Sequence, residues 1–193
     1  PITIRADNPF ITGDLRTLVN ARPNPNAPIT YYFNGGRIGR LRVEEDYDVY
    51  QLLGGFKGSL GGSLRYDVYA SYGETDQGST AFNQVSRSRF NAVVNAADGG
   101  ASLCAGGYDP FGFADTSRSC QDYLTFSTTN RYHYSQTVLQ GNLTGELFNL
   151  PGGAAGFALG AEYRKNSYNA DIDPRNSPTP TATPGVTTAP EAL

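Results

Sequence analysis

The sequence predicts an all-β fold: an antiparallel transmembrane β-barrel segment of about four long strands in two hairpins, with long extracellular loops carrying short helices. Two observations predict it. Four stretches alternate apolar and polar residues for about ten residues each, and the connections between them are strongly unequal in length. Successive strand side chains point to opposite faces, so this alternation reads as a strand with one apolar and one wet side. A tilted strand of roughly 9–11 residues is also what crosses a bilayer.

Residues 1–37 read as an extracellular loop region with a short helix. Thr12-Gly13-Asp14 precedes Leu15, Leu18 and Val19, and Arg22-Pro23-Asn24-Pro25 breaks the helix. Ile29–Phe33 is a candidate strand. Residues 38–73 hold the first barrel hairpin. In Tyr50–Leu60, the residues Tyr50, Leu52, Phe56 and Leu60 share a face with Gly54 and Gly58, while Gln51, Lys57 and Ser59 face the other way beside Leu53. Gly61-Gly62 is a favoured hairpin turn pair. Leu64–Tyr72 follows as the clearest strand, with Leu64, Tyr66, Val68, Ala70 and Tyr72 on one face and Arg65, Asp67, Tyr69 and Ser71 on the other. The acidic run Glu44-Glu45-Asp46 reads as the solvated top of a strand, with cation binding as the competing option.

Residues 74–133 are expected to form a long extracellular loop, far beyond the usual connection length. Ser86 or Ser88 is placed to cap a helix through Phe90, Val93 and Val94, ended by Asp98-Gly99-Gly100. Residues 134–170 form the second barrel hairpin. Leu139, Leu143 and Leu147 oppose Gln136, Gln140, Asn142, Thr144 and Glu146, interrupted by Val138. After the tight turn Asn149-Leu150-Pro151-Gly152-Gly153, Phe157, Leu159, Ala161 and Tyr163 oppose Ala158, Glu162 and Arg164. Residues 171–193, rich in Pro and Thr, read as a loop or linker of extended, poorly packed chain.

Charges opposite an apolar band are costly in a dry core and cheap beside water. Arg65, Asp67, Gln140, Glu146, Glu162 and Arg164 are therefore the candidate lumen-facing residues. Tyr47, Tyr50, Tyr66, Tyr72, Phe148 and Tyr163 fall near strand ends, where aromatic girdles form; Tyr is also simply a good strand former.

Cys104 and Cys120 lie in the long loop, and an even count in an extracellular segment predicts a disulfide. The segment between them contains Tyr108, Phe111 and Phe113 on a turn-prone backbone. These three are the candidate ligand-facing residues; the competing role is to anchor the loop on its neighbours. A zinc site would need further ligands beside the single histidine, His133, and there is no CxxC pair, so no metal or cofactor is expected. No GxSxG, P-loop, HExxH or EF-hand pattern appears, and no enzyme is expected. A net charge of −3 argues against nucleic acid. Mean hydropathy is −0.42 and no apolar run reaches about eighteen residues, which argues against a transmembrane helix but not against a barrel. The chain has no Met and begins at Pro1, which predicts a processed product or an internal piece of something longer.

Several segments carry a family resemblance. Asp7-Asn8-Pro9-Phe10-Ile11, Tyr47-Asp48-Val49-Tyr50-Gln51-Leu52 and Tyr66-Asp67-Val68-Tyr69-Ala70-Ser71-Tyr72-Gly73 resemble the barrel of TonB-dependent outer-membrane receptors. So do Asp98-Gly99-Gly100-Ala101-Ser102-Leu103-Cys104, Tyr108-Asp109-Pro110-Phe111-Gly112 and Gly160-Ala161-Glu162-Tyr163-Arg164. The resemblance implies nutrient uptake across the bacterial outer membrane, for ligands of the siderophore, cobalamin or oligosaccharide class, with the long loops extracellular. It implies outer-membrane lipid as a partner, and energy coupling through a TonB-binding segment and plug that these residues do not contain. Four strands do not close a membrane barrel, which takes at least about eight. The remaining strands of a larger barrel, or further copies of the chain, are thus implied as partners. The alternative is a surface-exposed or secreted β-rich structural module that assembles through its strand edges into oligomers or fibres.

Overall fold

Alternating side chains and glycine turns build the long ribbons of this chain. The computed structural model describes residues 2–32, 35–112, 115–180 and 187–193. In order, the elements are β1 (Ile2–Ile4), α1 (Gly13–Asn20), β2 (Ile29–Tyr31), β3 (Arg42–Gly61), β4 (Leu64–Val85), α2 (Arg87–Asn95), α3 (Arg118–Leu124), β5 (Thr125–Leu150), β6 (Gly153–Asp171), β7 (Thr179–Pro180) and β8 (Thr187–Thr188). The fold is mostly antiparallel β-sheet, with 53% of the described residues in strands and 17% in helices. β3, β4, β5 and β6 form one sheet in that order, so β3 and β6 are its edges.

Both tight turns form where the sequence places them. Gly61 and Gly62 adopt φ of 111° and 57°, and Gly153 adopts 130°, in the region that side chains with a Cβ avoid. β5 and β6 pair antiparallel from Arg131↔Asp171 to Leu150↔Gly153, with one bulge between Glu146 and Phe148.

The ribbons run well past the stretches that alternate. β4 continues from Tyr72 to Val85, and β5 begins at Thr125. The connection expected over 74–133 is therefore shortened to 86–124. The reason is physical. Alternation reports what each face touches, not whether the ladder is hydrogen-bonded. Beyond the apolar band both faces are polar, and the strands are held by cross-strand contacts such as Thr80 Oγ1 to Thr129 Oγ1 (3.0 Å) and the Thr128 hydroxyl donating to Gln84 Oε1 (3.0 Å).

The chain divides into two units. One comprises 1–44, 80–129 and 172–193. It buries a core of Ile2, Ile4, Ile38, Val85, Phe90, Val93, Val94, Tyr108 and Leu124 together with both cysteines. A smaller cluster joins Ala6, Ile11 and Val19 under α1. α2 starts as expected, with the Ser86 side chain accepting a hydrogen bond from the Arg89 amide. The pairing of β1 with β2 (Ile2↔Tyr31, Ile4↔Ile29) and the helix α3 were not apparent in the sequence. β2 forms within the candidate strand at 29–33, but a three-residue β1 and a two-turn α3 are too short to show a period.

The carboxy-terminal segment is a correction. It was expected to be poorly packed, yet its described ends are tied down. Glu191 accepts hydrogen bonds from the hydroxyl of Ser88 (2.6 Å) and from the Ser86 hydroxyl, and the Leu193 amide donates to the Val85 carbonyl (3.0 Å). Burial opposes ionisation of Glu191, but these hydroxyl donors outweigh it and hold the carboxyl below its ordinary value. Arg175 holds Asp173 down to about 2 and donates to the Ser127 carbonyl (2.8 Å).

The other unit comprises 45–79 and 130–171. It is sheet alone, and Val138 is the only buried residue among those described in it. No second layer of this unit covers either face.

Candidate functional site

Register decides what this unit presents. Residues opposite one another across an antiparallel pair share a face. Leu139 pairs with Tyr163, Leu143 with Leu159 and Gly145 with Phe157. A Cβ on Gly145 would meet the Phe157 ring at 2.8 Å and Leu64 at 3.2 Å, and one on Gly58 would meet the Tyr66 ring at 2.9 Å. Glycine there lets the aromatic rings lie across the neighbouring backbone. The four apolar faces read from the sequence are therefore one continuous face over β3, β4, β5 and β6. That face is open: Leu52 is 77%, Phe56 80% and Leu159 65% exposed. Leu64, Val68, Leu139 and Phe157 are not enclosed in a core.

The reverse face is polar, and the sheet brings the candidate lumen residues together on it. Arg65 and Asp67 line an open cleft of about 510 Å³ with Lys57, Asn142 and Thr144. Gln140 lies opposite Glu162 and accepts a hydrogen bond from the Tyr69 hydroxyl at 2.7 Å. Arg164 pairs with Glu162 on its own strand at 2.9 Å. Glu146 lies opposite Gly156, six residues along the strand from Glu162. Further from the short turns, the same face carries Tyr132, Tyr134 and Tyr168. The Tyr134 and Tyr168 ring centroids are 4.9 Å apart, beside a Gln136–Asn166 hydrogen bond of 2.9 Å.

The loop residues divide differently. Cys104 and Cys120 form the expected disulfide, Cα to Cα 4.9 Å. Tyr108 does not face a ligand. It is 1% exposed and meets Phe90 edge-on at 5.2 Å, and burial pushes its phenol well above the ordinary value. Phe111 is half-buried against Tyr31, ring centroids 6.4 Å apart. Both aromatics anchor the loop, because rings on a disulfide-pinned, glycine-rich backbone gain more from packing on α2 and β2 than from water. Phe113 lies outside the described residues.

Three of the segments quoted for the family resemblance, 7–11, 98–104 and 108–112, meet in the unit built from 1–44, 80–129 and 172–193. The buried Asn8 amide donates to the Val94 carbonyl (2.9 Å), the Phe10 ring and Pro9 pack on Gly99, and the Tyr108 amide donates to the Gly99 carbonyl (3.0 Å). Gly99 and Gly100 have φ of 67° and 86°, and Asp98 braces the turn by accepting from the Gly100 and Ser102 amides (2.9 and 2.8 Å).

One cluster on the sheet was missed. The apolar face becomes charged beyond Tyr72. There the His133 Nδ1 lies 2.8 Å from Asp76 Oδ1 and 3.8 Å from Glu74 Oε1. A cleft of about 480 Å³ beside it is lined by Asp46, Asp48, Arg131 and Asp171 among others. The hydrogen bond to Asp76 raises the pKa of His133 above its ordinary value, against a smaller lowering by desolvation. A raised pKa means that the pair contributes stability fully below the unfolded value and loses it as pH rises through the folded one. Titration followed by NMR of the single imidazole is expected to give a pKa above about 6.5, and Asp76→Asn to lower it. A wild-type value at or below that reference would show that the pair does not form. Sequence reading missed the cluster because it treated Glu74, Asp76 and His133 as loop, and 57 residues separate Asp76 from His133.

Neither protein-family models nor curated proteins yield a match to the chain.

Proposed function

We propose that this chain is a stretch of wall from an outer-membrane β-barrel of the TonB-dependent receptor type. It contributes strands and a disulfide-pinned outer loop to the capture and passage of a scarce nutrient. One observation carries the reading: a continuous apolar face over four strands, with a polar face behind it and nothing in its unit laid over it. Soluble monomers rarely expose apolar patches beyond a few hundred Å². Lipid would cover this one. The apolar stretches run for about ten residues, or roughly 33 Å along a strand. At the usual barrel tilt that is about 25 Å of height, the width of the apolar band in outer-membrane barrels.

The edges give the second support. β3 and β6 each have one neighbour in the sheet. In lipid, unpaired backbone groups cost several kcal/mol each, so these edges require further strands. The residues that would line a barrel interior, among them Arg65, Asp67, Gln140 and Glu162, all stand on the face turned away from lipid. The ligand classes remain those of the family resemblance: siderophore, cobalamin or oligosaccharide.

Nitroxide labels at Phe157, Ala158, Leu159 and Gly160, one at a time in the lipid-reconstituted chain, test the reading. Oxygen accessibility is expected to peak at 157 and 159, and that of a water-soluble nickel chelate at 158 and 160. A flat profile, or a chain that stays out of lipid and sediments as polymers, would overturn it in favour of a module that assembles through its strand edges.

A further inference from the structure

We propose that Glu74, Asp76 and His133 form a binding site for a borderline divalent transition cation of the Zn²⁺ class, clamping β4 to β5 just beyond the apolar band. Their donor atoms lie within 4.8 Å of one another, and no other such group of three occurs among the described residues. Glu74 and Asp76 are two apart on one strand and so share a face. The imidazole comes from the adjacent strand, beside Asp76, and the pairing of β4 with β5 holds the three backbones together.

The spacing suits the ion. Zinc binds imidazole nitrogen and carboxylate oxygen at about 2.0–2.2 Å, so tetrahedral ligands stand about 3.3 Å apart. The observed separations from His133 Nδ1 are 2.8 Å to Asp76 and 3.8 Å to Glu74, which bracket that value. Small side-chain rotations of the exposed Asp76 and the half-buried Glu74 and His133 close the difference, and the fourth position opens to water.

Two further features favour a cation over a plain ion pair. The donor set mixes nitrogen with oxygen, which selects zinc-like ions over the all-oxygen preference of Ca²⁺ and Mg²⁺. The neighbouring cleft sets Asp46, Asp48 and Asp171 against the single cation Arg131, so the local field is negative before any ion binds. The carboxylate of Asp46 lies within 2.7 Å of where a Cβ on Gly78 would stand, which directs this charge toward the same strand. The proposal needs only the pairing of β4 with β5, and it stands or falls apart from the barrel reading.

Because these 193 residues hold one histidine, ¹⁵N-histidine labelling of the tag-free 193-residue chain reports this site alone. Zn²⁺ is expected to shift the His133 Nδ1 resonance saturably at one ion per chain, while Mg²⁺ at the same concentration leaves it in place. Glu74→Gln and Asp76→Asn are each expected to weaken Zn²⁺ binding by at least about tenfold, the lower end of what even indirect ligand partners contribute. Absence of a saturable shift in the wild-type protein would overturn the proposal. So would undiminished binding in the double variant, since His133 alone would then hold the ion.

Discussion

Arginine in place of Leu159 is expected to destabilise the chain in a bilayer by about 2–4 kcal/mol, the depth-dependent cost of a cation on the lipid face of a barrel. In water the same change is expected to stay within about 0.5 kcal/mol, because Leu159 is 65% exposed and a substitution there removes little packing. Leu159 is the sharpest position for this contrast. It sits midway along the apolar stretch of β6, which runs from Ala155 to Tyr163, and pairs with Leu143, central in the apolar stretch of β5 between Leu139 and Leu147. The neighbouring substitution Ala158→Arg supplies the control, since one step along a strand moves the guanidinium to the polar face. Urea unfolding of the two variants in lipid vesicles measures the difference. Equal stabilities would mean that the two faces meet the same medium, and the wall reading would fail with them.

The same one-step logic explains what was legible. Leu64–Tyr72 could be read as a two-faced strand because its side chains differ in polarity on the two sides, and the four apolar faces do coincide on one sheet. Past Tyr72 the two faces no longer differ so cleanly in polarity. Residues 73–85 and 125–136 continue the ladder with polar groups on both faces, so the period vanished while the strand did not. His133 shows the consequence. Its partners lie on a part of β4 that looked like loop, and no local signal links residues 57 apart. The start of α2 was legible because a cap is local: Ser86 and the Arg89 amide are three residues apart. Tyr108 was ambiguous for the opposite reason. A Tyr on a glycine-rich turn serves equally to bind or to anchor, and only the position of Phe90 decides it. The docking of Glu191 on the Ser86–Ser88 turn spans more than a hundred residues, and a Pro/Thr-rich composition gave no hint of it.

Removing the Cys104–Cys120 bridge is expected to lower the stability of the unit built from 1–44, 80–129 and 172–193 by about 3 kcal/mol, the chain-entropy value for a closed loop of this size. The sequence separation is 16, and both residues are buried, Cys120 completely. The bridge joins the start of α3 to the turn after α2, and the loop it closes carries Tyr108 into the core against Phe90. In that account the cross-link acts mainly on the unfolded chain, so the folded contacts around Tyr108 should survive it. The Cys104→Ala/Cys120→Ala variant should therefore keep the same set of protected amides in α2 and α3 at neutral pH, each with its free energy of exchange reduced by that amount. Thiol labelling of the unreduced wild-type protein should modify neither cysteine. A loss well below about 1 kcal/mol would mean that Tyr108, Phe90 and Leu124 already hold the loop in the unfolded ensemble. Reduction would then leave the unit folded, and the bridge could not be what keeps the 86–124 connection in place.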